Sequence, residues 1–555
     1  MPHGGGGSTR TGSHAVYVQR GSTASGGRVA TELLGRTGDQ RGGCSSPIAL
    51  CCAPAVEGAG LKVSIVVPPF DYGRMLYGMM RRRSFHNAVP LGAISVAACL
   101  REAGHEVQVV DAPALDMDVS GIVEYLRRFG AEAIGLSTTS ILWPSCSEIA
   151  TRLKTTFDVP IFVGGPHASL FPEHVLENPD VDIACVGEGE ETSVELIGRL
   201  AAGQDMDGVA GTVWRQGEAI RHNADRIPQR ELDDMPLPAY DLLDVSRYSA
   251  PPMRVVQTPA VYMEMFRGCA YAKCTYCTSA LGLKNRYRRH SPEMAAQKVA
   301  AVNQRFGAKE VAFVDDDFVV GKDWIYDFCG ELRKRGNPIT WSCYVRASQV
   351  DEGIFNAMAA AGCHQVLVGM EVLDNDMLRE LNKDLTVASA GAAVRAAHKA
   401  GIDVIGLFMV GVPGTTPESV SNTVKNALAH ELDVAVFSLY RPPPGSPAWE
   451  ELGWTPDDYI DCFKLQKQAV FVPEGWRDKE DVERTFREAY RGFYLNAGFI
   501  KHTAKRMFAD PVKAKNVMKA AFTLADQFRP ESLNPAAKAL ARRIAPGRRR
   551  PAGDS

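Results

Sequence analysis

The chain has 555 residues, 45% apolar and 23% charged, with a formal net charge of −3. That length predicts two or three domains of ordinary globular composition, and the charge gives no footing for a nucleic-acid or polyanionic partner. Thirteen thinly spread cysteines without a disulfide-framework pattern predict a reducing, cytoplasmic setting. No run reaches the ~18 apolar residues of a membrane helix, and no basic start leads into an apolar segment as in a signal peptide.

Residues 1–60 are rich in Gly, Ser and Thr and read as a disordered tail, with Cys44, Cys51 and Cys52 incidental. Order begins at Leu61. A buried strand at Val63–Pro68 and a helix at Ala93–Ala103 are followed by strands at Val107–Asp111, Ala133–Ser137, Ile161–Gly164 and Ile183–Val186. Helices at Val119–Phe129 and Ser145–Phe157 separate some of them. Alternation of this kind predicts a doubly wound parallel sheet over 61–215, with ligands at the C-terminal strand ends. Residues 216–250 are polar and Pro-bearing and read as a linker.

A second alternating set occupies 251–450: strands at Val261–Phe266, Glu310–Val314, Ile339–Val345, Gln365–Met370, Asp403–Met409 and Asp433–Leu439, with helices such as Met294–Arg305 and Ala388–Ala400. It predicts an open or partial (β/α)6 barrel with its functional residues at the strand C-termini. Residues 451–535 read as helical (Asp457–Val470, Lys479–Asn496, Pro511–Phe528), and 536–555 as a basic tail. The fold class is therefore α/β with a helical C-terminal region.

The first barrel strand feeds Phe266-Arg-Gly-Cys-Ala-Tyr-Ala-Lys-Cys-Thr-Tyr-Cys277. Three thiolates on one loop, Cys269, Cys274 and Cys277, suit three irons of a [4Fe–4S] cluster. The fourth iron is then open for chemistry, whereas an electron-transfer cluster takes four protein ligands. Structural zinc takes four ligands, typically as two pairs, and no second Cys or His pair lies nearby.

At this loop the chain resembles the radical S-adenosylmethionine (SAM) enzymes. Their spacing is C-x3-C-x2-C with an aromatic before the last Cys; here Tyr276 is the aromatic, and the first spacer holds four residues. The resemblance implies that the SAM amine and carboxylate chelate the open iron. It also implies a reduced cluster that splits SAM into methionine and a 5′-deoxyadenosyl radical, and an electron donor such as flavodoxin or ferredoxin. At successive strand ends it points to Asp315 and Asp316, in Asp315-Asp-Asp317, for the SAM amine. Arg346 is matched to the SAM carboxylate or a neighbouring acid, Glu371 to a ribose hydroxyl or the amine, and Gly411 to a close backbone approach to adenine. Asn382-Lys383 and Arg441-Pro-Pro-Pro-Gly445 match the look of the family without an assigned chemistry.

Upstream, Val67-Pro-Pro-Phe70, Pro90-Leu-Gly92, Ser137-Thr-Thr-Ser140, Val163-Gly-Gly-Pro-His167 and Val186-Gly-Glu-Gly-Glu190 resemble the Rossmann-like cobalamin domain of the B12-dependent radical SAM group. The likeness spans about 61–450. It implies cobalamin contacts from Thr138, Thr139, Ser140, Gly164, Gly165, His167, Gly187 and Glu188. There is no D-x-H-x-x-G motif, so His167 is not read as a cobalt ligand. The implied reaction is the class B one: methyl transfer from SAM through cobalamin to an unactivated carbon, or to a phosphinate phosphorus as the second choice. The acceptor is a small-molecule or natural-product intermediate, and a monomer is expected. Rearrangement or cyclisation without methyl transfer, and a non-catalytic cofactor-binding protein, are the rival readings. Methylthiolation would need a second three-cysteine set, and Cys99, Cys146 and Cys185 are scattered core residues. Trp449, Trp454, Phe463, Trp476, Tyr490 and Tyr494 are candidates to line the substrate pocket.

Overall fold

Short apolar runs, closed by Pro, Asp, Thr or Gly, make the parallel strands of a first sheet. A computed structural model describes residues 60–70, 88–228, 230–248, 254–278, 287–464 and 468–509. The N-terminal tail with its three cysteines, the segment 511–528 and the basic tail lie outside them.

The first sheet comprises β1 (Lys62–Val67), β2 (Glu106–Asp111), β3 (Ala133–Ser137), β4 (Ile161–Gly164), β5 (Ile183–Cys185), β6 (Thr212–Gln216) and β7 (Ala219–His222), in the order β2-β1-β3-β4-β5-β6-β7. The first five strands are parallel, and the order reverses between β1 and β3, where such sheets bind ligands. Helices Leu91–Glu102 and Gly189–Ala201 bury Ile94, Leu100, Leu196 and Ile197 against one face, while Val119–Phe129 and Trp143–Lys154 bury Ile122, Leu126, Ile149 and Leu153 against the other. The stretch read as a linker from residue 216 differs at its start. β6 and β7 are an antiparallel hairpin added to the sheet edge, and β7 is exposed along its length, so it lacks the apolar alternation that marks a strand. The rest of that stretch is laid against both sheets. Tyr248 donates to Asp111 Oδ2 (2.8 Å) and Tyr240 to the Tyr262 carbonyl (2.6 Å).

The second sheet is an open, all-parallel run of six strands in sequence order: β8 (Ala260–Met263), β11 (Glu310–Phe313), β12 (Thr340–Val345), β13 (Cys363–Glu371), β14 (Asp403–Val410) and β15 (Val434–Leu439). The short strands β9 (Phe266–Arg267) and β10 (Arg288–Arg289) pair beyond the end of β8. Four of the crossover helices start on a side-chain cap, Ser291, Asp351, Thr386 or Thr416, which satisfies the first free N–H groups. One continuous apolar core runs from Val63 and Ile94 through Tyr240 to Val261, Phe313 and Phe408, joining both sheets.

An open sheet leaves an edge of unpaired backbone groups. Helix Lys479–Tyr494 covers the β15 edge with two tyrosines one helical turn apart. Tyr490 Oη accepts from Phe437 N and donates to Phe437 O (3.1 and 2.9 Å), and Tyr494 Oη does the same for Ala435 (3.1 and 2.7 Å). An i,i+4 pair on the helix thus matches an i,i+2 pair on the strand. These two tyrosines do not line a pocket. Helix Ala497–Ala509 is tied to the opposite, N-terminal end of the sheet through His502 and Arg506, which meet Asp433 at 3.4 and 3.0 Å. Tyr490→Phe strands a buried N–H and C=O and is expected to destabilise by about 1–3 kcal/mol. A denaturation midpoint unchanged from wild type would refute this account of the edge.

Candidate functional site

The C-terminal ends of β8, β11, β12, β13 and β14 carry the candidate residues, and the cysteine loop arches over them. Cys269, Cys274 and Cys277 are free thiols, each half-buried. The extra spacer residue is absorbed at Ala272, whose φ of 41° is left-handed; its N–H donates to Cys269 Sγ (3.4 Å). The loop is pinned from one side by a single turn. Thr275 N donates to Leu381 O (3.2 Å), Tyr271 Oη to Asn382 O (2.7 Å) and Asn382 Nδ2 to Lys273 O (2.9 Å). Lys383, the next residue, is an unforeseen member of the site. Its ammonium bonds Tyr276 Oη (3.1 Å) and Glu371 (3.0 Å). Burial raises the Cys274 thiol, and the Lys383 charge opposes that shift, favouring the thiolate that iron requires.

The three aspartates, just past the end of β11, divide their work. Asp315 and Asp317 are buried and Asp316 is exposed. Asp315 Oδ1 accepts from Met265 N and Phe266 N, both at 2.6 Å, fixing the turn that launches the cysteine loop. It is first of all a backbone anchor, and the expectation of an amine ligand applies only to Oδ2, which is buried without a partner. Burial pushes this carboxyl well above its ordinary range. Asp317 Oδ2 takes Arg346 Nε at 2.5 Å. Arg346 therefore pairs with a neighbouring acid, and its guanidinium lies 5.0 Å from the Tyr271 ring centre. Glu371 sits at a bulge between β13 and β14 with φ 55°, an unfavourable conformation of the kind that clusters at functional sites. Gly411 has φ 79°, and a Cβ there would stand 2.9 Å from Val482. Packing under helix Lys479–Tyr494 thus demands glycine at this turn, whatever ligand approaches it.

At the first sheet the predicted residues come together at one edge, after β3, β4 and β5. Thr138 is buried; its N–H donates to Gly164 O (2.9 Å) and its hydroxyl to Thr139 O (3.0 Å). Ser140 Oγ faces His167 Nδ1 at 3.1 Å. Thr139 is the half-buried member of the three. Gly165 has φ 109°, and a Cβ there would lie 2.4 Å from Thr138 O. His167 is fully buried, its Nε2 is 3.2 Å from His174, and its ring stacks on Trp143. Burial, with His174 adding to it, lowers its pKa to about 3. It is a neutral strut beneath the loop and presents no free nitrogen to a ligand. Ser169, unmarked in the sequence, accepts from Gly187 N and donates to Gly165 O, both at 3.0 Å, so it staples the two glycine loops together. Glu188 spends both carboxylate oxygens on Arg267 and Arg288. It belongs to an ion-pair cluster with the second sheet, not to the exposed edge.

Among the described residues, the thiol set, the unpartnered oxygen of Asp315 and the bare backbone at Gly187 beside the half-buried Thr139 suit a cluster, a cationic amine and a broad flat ligand respectively. Comparison with known proteins agrees. The B12 binding domain family matches residues 81–197 and the Radical SAM superfamily residues 263–427. The chain belongs to the cobalamin-dependent radical SAM enzymes. The family implies cobalamin, a [4Fe–4S] cluster and SAM as cofactors. It is similar to the uncharacterized methyltransferase PH0819 of Pyrococcus horikoshii, with 29% identity over 78% of this chain and 93% of that one. It is also similar to the anaerobic magnesium-protoporphyrin IX monomethyl ester cyclase of Rubrivivax gelatinosus, with 23% identity over 75% of each. The fold matches that of the radical SAM methyltransferase TsrM from Kitasatospora setae, with TM-score 0.58 and 19% identity over 71% of this chain and 78% of that one.

Cys274→Ala is expected to abolish cluster binding, read as loss of iron and of the charge-transfer absorbance. Lys273→Ala should retain both, since the hydrogen bond at this residue is through its carbonyl and its ammonium only lies 5.8 Å from the Tyr271 ring centre. Iron retained at wild-type level in Cys274→Ala would displace that thiol from the ligand set. Gly165→Ala is expected to lower cobalamin content several-fold while leaving iron unchanged, and equal cobalamin in the variant would rule out a close-fitting loop.

Proposed function

We propose that the protein transfers a methyl group from SAM, by way of cobalamin, to an unactivated carbon of a small-molecule or natural-product intermediate, with a phosphinate phosphorus as the second choice of acceptor. The observation that carries this reading is that the loop after β5 and the loop after β8 touch, through Glu188 and Arg267. The C-terminal ends of β5 and β8 therefore lie together.

When bound, the cluster with SAM supplies hydrogen abstraction, and cobalamin supplies the methyl group. The chain's own residues have other tasks. Cys269, Cys274 and Cys277 hold three irons, and Lys383 keeps positive charge beside them. Asp316, the free side of Asp315, and Glu371 face the amine and ribose end of SAM. Thr139 and the backbone at Gly164, Gly165 and Gly187 receive cobalamin.

Water is excluded by an apolar cluster of Val372, Val412, Trp449 and Trp454, against which Tyr276, Met409 and Phe171 pack. Tyr276 comes from the cysteine loop and Phe171 from the first sheet's side; the ring of Phe171 stacks on Trp449. Trp449, Trp454 and Phe463 thus belong to a lid over both edges, while Trp476 is a buried strut bonded to Thr415 O. A flavodoxin or ferredoxin is the proposed electron source. The likeness to a cyclase favours, as the second reading, radical cyclisation without methyl transfer.

Incubation of a cell extract with the reconstituted, reduced enzyme and SAM bearing a deuterated methyl group tests the choice. A product that gains the labelled methyl is expected. SAM cleavage with a mass-shifted product that carries no label would establish the cyclase reading instead.

A further inference from the structure

The buried charge that joins the two sheets is concentrated on one residue of the cysteine-loop strand. Arg267, two residues before Cys269, spreads its guanidinium over three carboxylates: Nη1 on Glu188 (2.5 Å), Nη2 on Glu190, and Nε on Glu264 (3.0 Å). Arg288, across the β9–β10 pairing, takes the other oxygen of Glu188. The side chains of Arg267, Arg288, Glu188 and Glu190 are 16%, 6%, 16% and 7% exposed. Burial would raise the Glu188 carboxyl, yet Arg288 and Arg267 hold it below its usual range.

This is a costly arrangement. Buried ion pairs are weak contributors to stability, and similar-sized apolar residues often serve as well or better. A small cavity of about 40 Å³ beside it, lined by Glu190, Glu264, Arg267, His290 and Lys298, has room for a water molecule or two to share the charge. What the cluster provides that apolar packing does not is fixed direction: forked N–H donors hold carboxylates at set angles.

We propose that Arg267 is a positioning residue that sets the distance between the cobalamin and cluster platforms. The connection is short, and each link is covalent, hydrogen-bonded or ion-paired. The Gly165 loop is stapled by Ser169 to Gly187, Glu188 and Glu190 follow directly, Arg267 grips both, and Gly268 and Cys269 come next. A displacement of about 1 Å between reacting groups costs on the order of 100-fold in rate, which is reason for the chain to spend buried charge on a spacing. This inference rests on the cobalamin reading above.

The test measures spacing directly. Wild type, Arg267→Met, Arg267→Lys and Glu190→Gln are loaded with both cofactors and reduced until the cluster and cob(II)alamin are both paramagnetic. Their spin–spin coupling is then read by pulsed EPR, beside iron and cobalamin content. Arg267→Met is expected to keep both cofactors at wild-type stoichiometry while the coupling weakens and its distance distribution broadens. Arg267→Lys, which keeps the charge and loses the fork, should fall between. Glu190→Gln removes one arm only, and gives a milder shift in the same direction should Arg267→Met not fold. Unshifted coupling in the folded variants with both cofactors bound overturns the clamp alone. So does loss of cobalamin from Arg267→Met with iron retained, which would make the residue a cofactor contact. A wild-type protein that binds iron and no cobalamin overturns the functional reading and the clamp with it.

Discussion

A parallel strand offers a ligand only one good end, where loops leave the sheet and backbone groups are free, and this chain has two largely parallel sheets whose loops, in the proposed function, act on one reaction. Joining those ends is the constraint to which much of the remaining structure answers. The buried contact between Glu188 and Arg267 is the physical form it takes, and the shared apolar core from Val63 to Phe408 fixes the sheets behind it. A core alone would hold the two bodies together while leaving the edges free to slide, because apolar contacts are non-directional. Forked ion pairs remove that freedom.

The same logic explains why so many acids at the strand ends bond to the protein rather than face a ligand. Asp315 ties down the turn after β8, Asp317 holds Arg346, and Glu371 holds Lys383. Each fixes a loop that has no regular hydrogen bonding of its own. A thiolate loop must be stiff before iron is bound, because three ligands on nine residues would otherwise have to be ordered at the moment of binding, at roughly 1–2 kcal/mol of backbone entropy for each residue fixed. The turn at Leu381–Lys383 does much of this ordering in advance.

Much of the fold was legible because it rests on local pattern. Apolar runs gave the five parallel strands of the first sheet and the six of the second to within a residue or two at most ends, and glycine or hydroxyl turns marked the ligand edge. The cysteine spacing was legible as chemistry. What resisted reading was division of labour among residues of the same type. In Asp315-Asp-Asp317 nothing local says which carboxylate turns inward; the three lie past the end of β11, and the choice rests on distant partners, Met265 and Phe266 for Asp315 and Arg346 for Asp317. Glu188 looked like an edge residue because its partners, Arg267 and Arg288, lie 79 and 100 positions away. The aromatics of helix Lys479–Tyr494 suggested a pocket, since sequence shows their size and not that two hydroxyls would complete an open edge. Lys383 left no signal beyond its motif, because a lone lysine is ordinarily a solvated surface residue.

His167 shows how the two kinds of knowledge correct one another. The absent D-x-H-x-x-G motif argued that this histidine does not ligate cobalt, and the structure supplies the mechanical reason. Both ring nitrogens are engaged, by Ser140 and His174, and burial keeps the ring neutral. It supports the loop in which Gly165 packs against the Thr138 carbonyl. The edge of the first sheet after β3 and β4 is thus built from backbone and small hydroxyls, with imidazole beneath them as scaffold. A platform of this kind would receive a broad, flat cofactor by shape, because backbone and hydroxyl groups follow a surface while the engaged imidazole nitrogens of His167 offer it no directed bond.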